Sequence, residues 1–254
     1  MEIDFLGKIR KLNWVLCEST TGRLSYAELC RNLSDIINAN IYVIDGKGFV
    51  LGVAYKQASD TSTFEDEFGF EKIPSSDNIN LLGIDKIAAN IIGEGLTELF
   101  GKDYAMTDKY HTIVPSVCGG ERLGTILLTK YSEPFTEEEI VLAEYGAAVV
   151  GLEIQRNDRL KNEKEEALKT AVKMALYTLS NSEKDAFSKI MGSLESDEGI
   201  MNASKLAAKY SLTNSVIVSA LKKMESAGIM ETKSLGMKGT YIKIINPYIK
   251  TAEI

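Results

Sequence analysis

The first side chains to test for chemistry are the single histidine, His111, and the three cysteines, Cys17, Cys30 and Cys118. His111 is accompanied by no Ser/His/Asp or Cys/His arrangement and by no metal-ligand cluster. The cysteines have neither CxxC nor metal-ligand spacing, and an odd number does not build a disulfide framework, so they read as core thiols. Glu65, Asp66 and Glu67 form a charged run of the kind that is usually solvated surface. Gly46-Lys47-Gly48 and Gly119-Gly120-Glu121-Arg122 are rich in glycine, but no Lys-Ser/Thr pair follows as in a phosphate-binding loop. Both suit hairpin turns, and the chain is read as a non-enzyme with no cofactor and no metal.

A different chemistry is written in residues 203–222, ASKLAAKYSLTNSVIVSALK. Leu206, Ala207 and Tyr210 make the inner face of one short helix, Leu212 is the buried turn residue, and Ile217, Ala220 and Leu221 make the inner face of the next. Ala207 is small where two steeply crossed helices must approach. Thr213 is placed as the N-cap of the second helix. Such a helix lies in the major groove of duplex DNA, where Asn214, Ser215 and Ser219 would reach bases or phosphates, with Val216 on the same segment. Ala203, Ser204 and Lys205 open the first helix beside it. Two β-like runs, 230–234 and 240–245, follow around a glycine-rich basic tip and form the predicted wing. Lys222, Lys223, Lys233, Ser234 and Lys238 are its natural phosphate contacts, setting affinity and salt dependence without reading sequence.

Charge agrees with this placement. The chain of 254 residues carries −7 overall, but residues 1–155 hold 13 Lys+Arg against 24 Asp+Glu. Residues 202–250 hold 8 lysines against Glu225 and Glu231, a local +6 that suits a polyanion. No run of eighteen apolar residues occurs, and the N-terminus carries Glu2 and Asp4 where a signal peptide carries base, so a cytoplasmic protein without a membrane partner is expected.

The elements upstream form the larger, acidic part of the chain. Helical spacing of Phe5, Ile9, Leu12 and Leu16, then of Leu29, Leu33, Ile36 and Ile37, predicts two helices. Residues 40–45 and 49–54 predict one hairpin and residues 112–117 and 123–129 a second. Between them, residues 55–110 read as loops with one short helix near 84–92. Thr136 with Glu139 makes a capping box, Phe135 a staple, and a helix starts there. Its middle, residues 156–166, is almost wholly charged and reads as a solvent-bridging connector. Another amphipathic helix begins at Ser182. The order predicts an α+β fold: a GAF-like antiparallel sheet with helices on one face (1–155), a linker helix (156–180) and a winged helix-turn-helix (181–254).

Residues 142–154 (LAEYGAAVVGLEI), 203–229 (ASKLAAKYSLTNSVIVSALKKMESAGI) and 234–246 (SLGMKGTYIKIIN) resemble the most characteristic segments of the CodY family of low-GC Gram-positive bacteria. Residues 40–52 and 112–128 resemble that family's sensor domain. The resemblance implies a homodimeric global transcriptional regulator, mainly a repressor. Its affinity for double-stranded operator DNA is raised by isoleucine, leucine or valine and by GTP. Tyr42, Phe64, Phe68, Phe70, Leu99 and Phe100 are the apolar residues available for a branched side chain, and Lys47, Glu153 and Arg156 for a nucleotide. The family holds its ligand's carboxylate with an arginine, whereas this chain has none between Arg31 and Arg122. That departure leaves backbone amides, a lysine such as Lys72, or a regulator sensing a different small ligand.

Overall fold

In the strand Asn40–Asp45 every residue from Ile41 to Ile44 is buried. A strand's side chains alternate between faces, so this one is covered on both. The structure, a computed structural model, describes residues 5–17, 25–56, 64–65, 71–101 and 108–252. Two compact units divide it, Met1–Asp158 and Arg159–Ile254.

In the first unit, α1 (Phe5–Cys17) and α2 (Tyr26–Ile37) precede the hairpin β1 (Asn40–Asp45) and β2 (Val50–Ala54). A short ribbon, β3 (Phe64–Glu65) with β4 (Glu71–Lys72), leads to α3 (Ser75–Leu82), β5 (Ala88–Ile91) and α4 (Glu94–Phe100). The long hairpin β6 (Lys109–Cys118) and β7 (Glu121–Tyr131) completes an antiparallel sheet in the order β2-β1-β7-β6-β5. Helices lie on both faces, not on one as the element order suggested. On one side Ile41, Val43, Val114, Ile126 and Leu128 meet Leu12, Leu29, Leu33, Leu142, Ala147 and Val150. On the other Tyr42, Ile44, Ile113 and Leu127 meet Leu81, Leu99 and Phe100. The second layer exists because the intervening segment is more structured than its sequence suggested. Residues 84–92 do not form the expected helix; the helices are α3 and α4, and β5 runs between them.

Helix α5 (Glu137–Tyr177) is continuous for 41 residues. Its capping box closes as expected: Glu139 N–H donates to Thr136 Oγ1 at 3.3 Å, and Thr136 N–H to Glu139 Oε2 at 2.8 Å. Residues 158–164 are all exposed, as a charged run must be.

In the second unit α6 (Asn181–Gly192) starts slightly before Ser182, because Ser180 is its N-cap and closes a reciprocal capping box with Glu183. Strand β8 (Glu198–Met201), α7 (Ala203–Tyr210), α8 (Asn214–Ser226), β9 (Met230–Ser234) and β10 (Thr240–Ile244) follow, and the strands pair in the order β8-β10-β9. Phe187, Ile217, Ala220, Met224, Ile229 and Ile242 form the fully buried centre. Two expectations are corrected. Tyr210 does not line the inner face of α7; it is 37% exposed, with the ammonium groups of Lys189 and Lys209 over its ring at 5.4 and 5.1 Å. Cys118 is no core thiol but half-buried, donating to Gln155 Oε1 at 3.3 Å, whereas Cys30 is buried, which pushes its thiol up to about 12.

Candidate nucleic-acid interface and ligand-binding face

Helix α8 buries Ile217, Ala220, Leu221 and Met224. The 3.6-residue period then turns Asn214, Ser215, Val218 and Lys222 outward, and all four are exposed. Thr213 holds the N-cap position but makes no capping bond with its side chain; its hydroxyl lies 3.0 Å from that of Ser215. The first backbone N–H groups of the helix therefore have no side-chain cap. Asn214 Nδ2 donates to Ser204 Oγ at 3.4 Å, joining the outer ends of α7 and α8, and Lys205 is exposed beside them.

Three sequence candidates on these helices face inward. Ala203 and Val216 pack against the core. Ser219 donates to Glu183 Oε1 at 2.6 Å instead of reaching out, because it lies on the side of α8 that faces α6. Lys223 is also engaged, donating to Glu183 Oε2 at 2.7 Å and to the Thr178 carbonyl at 3.0 Å. Lys223, then Ser219 and the Ser180 amide, hold the Glu183 carboxyl down to about 2. These four groups fasten α6 to α8 and fix the pitch of the outward face.

The wing carries Lys233 and Ser234, both exposed on β9, and a 3-10 turn Gly236–Lys238. Gly239, at φ 112°, closes this turn, and a Cβ there would stand 2.5 Å from the Met201 carbonyl oxygen. Only glycine fits. The tip presents Lys238 and a wholly exposed Met237. Sequence reasoning missed Met237 and Val218. Counting by fours from Asn214 would have found Val218, but its apolar type argued for the core.

In the first unit, the layer under α3 and α4 brings Tyr42, Leu99 and Phe100 into one cluster. The Phe100 ring lies 6.4 Å from His111, and the Tyr42 ring 5.8 Å from Tyr55. Phe64 stands in β3 opposite Lys72. Phe68 and Phe70 lie outside the described residues. Lys72 has its ammonium 4.8 Å above the Phe49 ring. Arg122 is half-buried and donates to the carbonyls of Ile84 and Leu81, each at 3.3 Å, and to Thr125 Oγ1 at 2.9 Å. Burial pulls its pKa down.

Of Lys47, Glu153 and Arg156, the structure pairs the last two. Lys47 is exposed in the β1–β2 turn, where its N–H donates to Asp45 Oδ1 at 2.8 Å. Asp45 Cα and Ile154 Cδ1 both lie within 4 Å of where a Cβ on Gly124 would stand, so the end of β1 and helix α5 both pack close to this glycine. Arg156 pairs with the buried Glu153 at 3.6 Å. Tyr26 closes the other side; burial raises its phenol to about 12, and it accepts a hydrogen bond from Asn157 at 3.4 Å. Among the described residues no group of His, Cys, Asp and Glu is arranged to hold a metal ion.

Two family models match the chain: a CodY GAF-like domain over residues 4–178 and a CodY helix-turn-helix domain over residues 197–252. The chain belongs to the CodY family. Among curated relatives, the global transcriptional regulator CodY of Clostridium perfringens is 40% identical over 243 residues, covering 95% of this chain and 94% of that one. The regulator of the same name from Brevibacillus brevis is 39% identical over 246 residues, covering 96% and 95%. A solved structure described as the cofactor binding GAF domain of the nutrient sensor CodY from Clostridium difficile is 39% identical, with a TM-score of 0.49. It covers 59% of this chain and 96% of that one. The family is one of transcriptional regulators, not of enzymes, and a DNA-binding helix-turn-helix defines its C-terminal part.

Proposed function

We propose that this chain is a cytoplasmic, homodimeric regulator, mainly a repressor. Its affinity for operator duplexes rises when the N-terminal unit takes up isoleucine, leucine or valine, and GTP. The observation that carries the output half is the outward face of α8, where Asn214, Ser215 and Lys222 stand exposed beside a basic wing. Lys205, Lys222, Lys233 and Lys238 supply phosphate contacts, and Ser204, Asn214 and Ser215 orient the helix. The domain boundaries fall at 1–155, 156–180 and 181–254.

For the input half, Tyr42, Leu99 and Phe100 share one apolar layer suited to a branched side chain, and by sequence Phe64, Phe68 and Phe70 are the further apolar residues assigned to that ligand. Lys47, Arg156 and Glu153 offer a nucleotide its phosphate and base contacts. Ligand uptake then shifts the population of dimers toward the one whose helices match an operator.

One observation favours a second reading, a regulator tuned to a different small ligand. Arg122 turns both terminal nitrogens of its guanidinium to Leu81, Ile84 and Thr125, and no arginine lies between it and Arg31. Thermal shift of the full chain against the amino acids and nucleotides separates the two, since a bound folded state gains RT ln(1 + [L]/Kd). Operator affinity at fixed salt should rise with isoleucine and GTP, separately and together. An affinity indifferent to both at saturation ends the first reading.

A further inference from the structure

Val218 and Ser219 exchange the places their side-chain types suggest. The hydroxyl of Ser219 is spent on Glu183, while Val218 stands 41% exposed. Asn214, Val218 and Lys222 are spaced by four residues, which sets them in one column along the outer face of α8. A lone exposed valine is ordinary on a soluble protein. This one stands one turn into a helix whose first residues are exposed and polar, between an amide and an ammonium group, in the segment with local charge +6.

We propose that Val218 is a sequence-reading residue whose methyl groups contact the 5-methyl of a thymine in the major groove. This rests on the DNA-binding reading above and adds a base-specific contact to it. Thymine is marked in that groove by its methyl group, which apolar side chains read. The first turns of a groove-bound helix meet base edges. Valine is suited to this because branching fixes its rotamer in a helix, so its methyls are presented already ordered. Asn214 is placed to bond a neighbouring base edge and Lys222 a phosphate. The valine contact removes apolar surface from water and releases no counterions, so it adds affinity that salt does not erode.

The test pairs a protein change with a DNA change. Full-length protein, with isoleucine and GTP present, selects duplexes from a random pool, and an enriched duplex is titrated at fixed salt. Each thymine is then replaced in turn by deoxyuridine, which lacks only the 5-methyl. The wild type should lose about fourfold in affinity at one thymine per half-site, the worth of one buried methyl. Val218→Ala should bind the unmodified duplex about four- to tenfold more weakly and be indifferent to uracil at that position, with an unchanged salt slope. Alanine suits an exposed helix position, so the variant stays folded, as its melting curve will report. Penalties that add at every thymine, or a Val218→Ala protein that binds as the wild type does, overturn the assignment while leaving DNA binding intact. A pool with no enriched duplex overturns both.

Discussion

Lys223 Nζ donates a 2.7 Å hydrogen bond to Glu183 Oε2, the same oxygen that accepts the Ser180 N–H at the start of α6. One carboxylate thus caps a helix and anchors another. Its pKa of about 2 makes the anchor pH-dependent with a definite sign. A carboxylate depressed on folding stabilises fully above its ordinary pKa of 4.5 and loses that contribution as pH falls toward 2. Glu183→Gln retains a capping side chain but not the charge. Its melting temperature should lie a few degrees below wild type at pH 7, with the gap closing between pH 4.5 and 2. Parallel acid dependences for the two proteins would show that the pair contributes nothing.

Phosphate contacts leave a signature in salt. Lys222→Ala, Lys233→Ala and Lys238→Ala should each weaken binding to every duplex alike and flatten the plot of log affinity against log salt by about 0.9 per contact removed. Lys223→Ala should instead lower the melting temperature, since its ammonium is bonded to Glu183 and Thr178. Fluorescence anisotropy over a salt series reads the first effect and a thermal melt the second.

Ser215 is exposed in the first turn of α8. Ser215→Asp places negative charge where DNA phosphate would lie, at a cost of roughly 1 kcal/mol, or about fivefold in affinity. An acid in the first turn of a helix also favours folding, so stability should not fall. Unchanged affinity for duplex would remove Ser215 from the interface.

Arg122 should be a brace for α3. Arg122→Met takes the guanidinium donor from the Ile84 carbonyl and one donor from the Leu81 carbonyl, which still accepts the Ile84 N–H at 3.3 Å, and should cost on the order of 1 kcal/mol of stability before any ligand is added. If the variant melts like the wild type and loses only the thermal shift given by an amino acid, the guanidinium is a ligand contact instead.

Local pattern made much of the molecule legible. Strand β1, the capping box at Thr136 and the buried faces of α7 and α8 are set by near neighbours, whose periodicity survives into the fold. Residues 84–92 misled because Ile84, Ile87, Ile91 and Ile92 recur as on a helix. A distant partner decides that segment. Asn90, at φ 57°, accepts from the Phe135 N–H at 2.6 Å and donates to the Phe135 carbonyl at 2.9 Å, a strand-like exchange made by a side chain. Ser219 misled for the same reason, since Glu183 lies 36 residues away. The apolar layer of Tyr42, Leu99 and Phe100 was legible by residue type. Its facing of α3 and α4 was not, because that depends on which side of the sheet the connections cross.

The bare middle of α5 can be read by a protease. Arg156, Arg159, Lys161 and Lys164 are exposed trypsin sites, but each lies in an intact helix that cannot enter a protease cleft without unwinding. Cleavage there proceeds through local opening, so its rate is proportional to the fraction of time this segment spends uncoiled. That makes nicking of the full chain a clock for this segment, one that runs slower under any condition that tightens the helix and faster under any that loosens it.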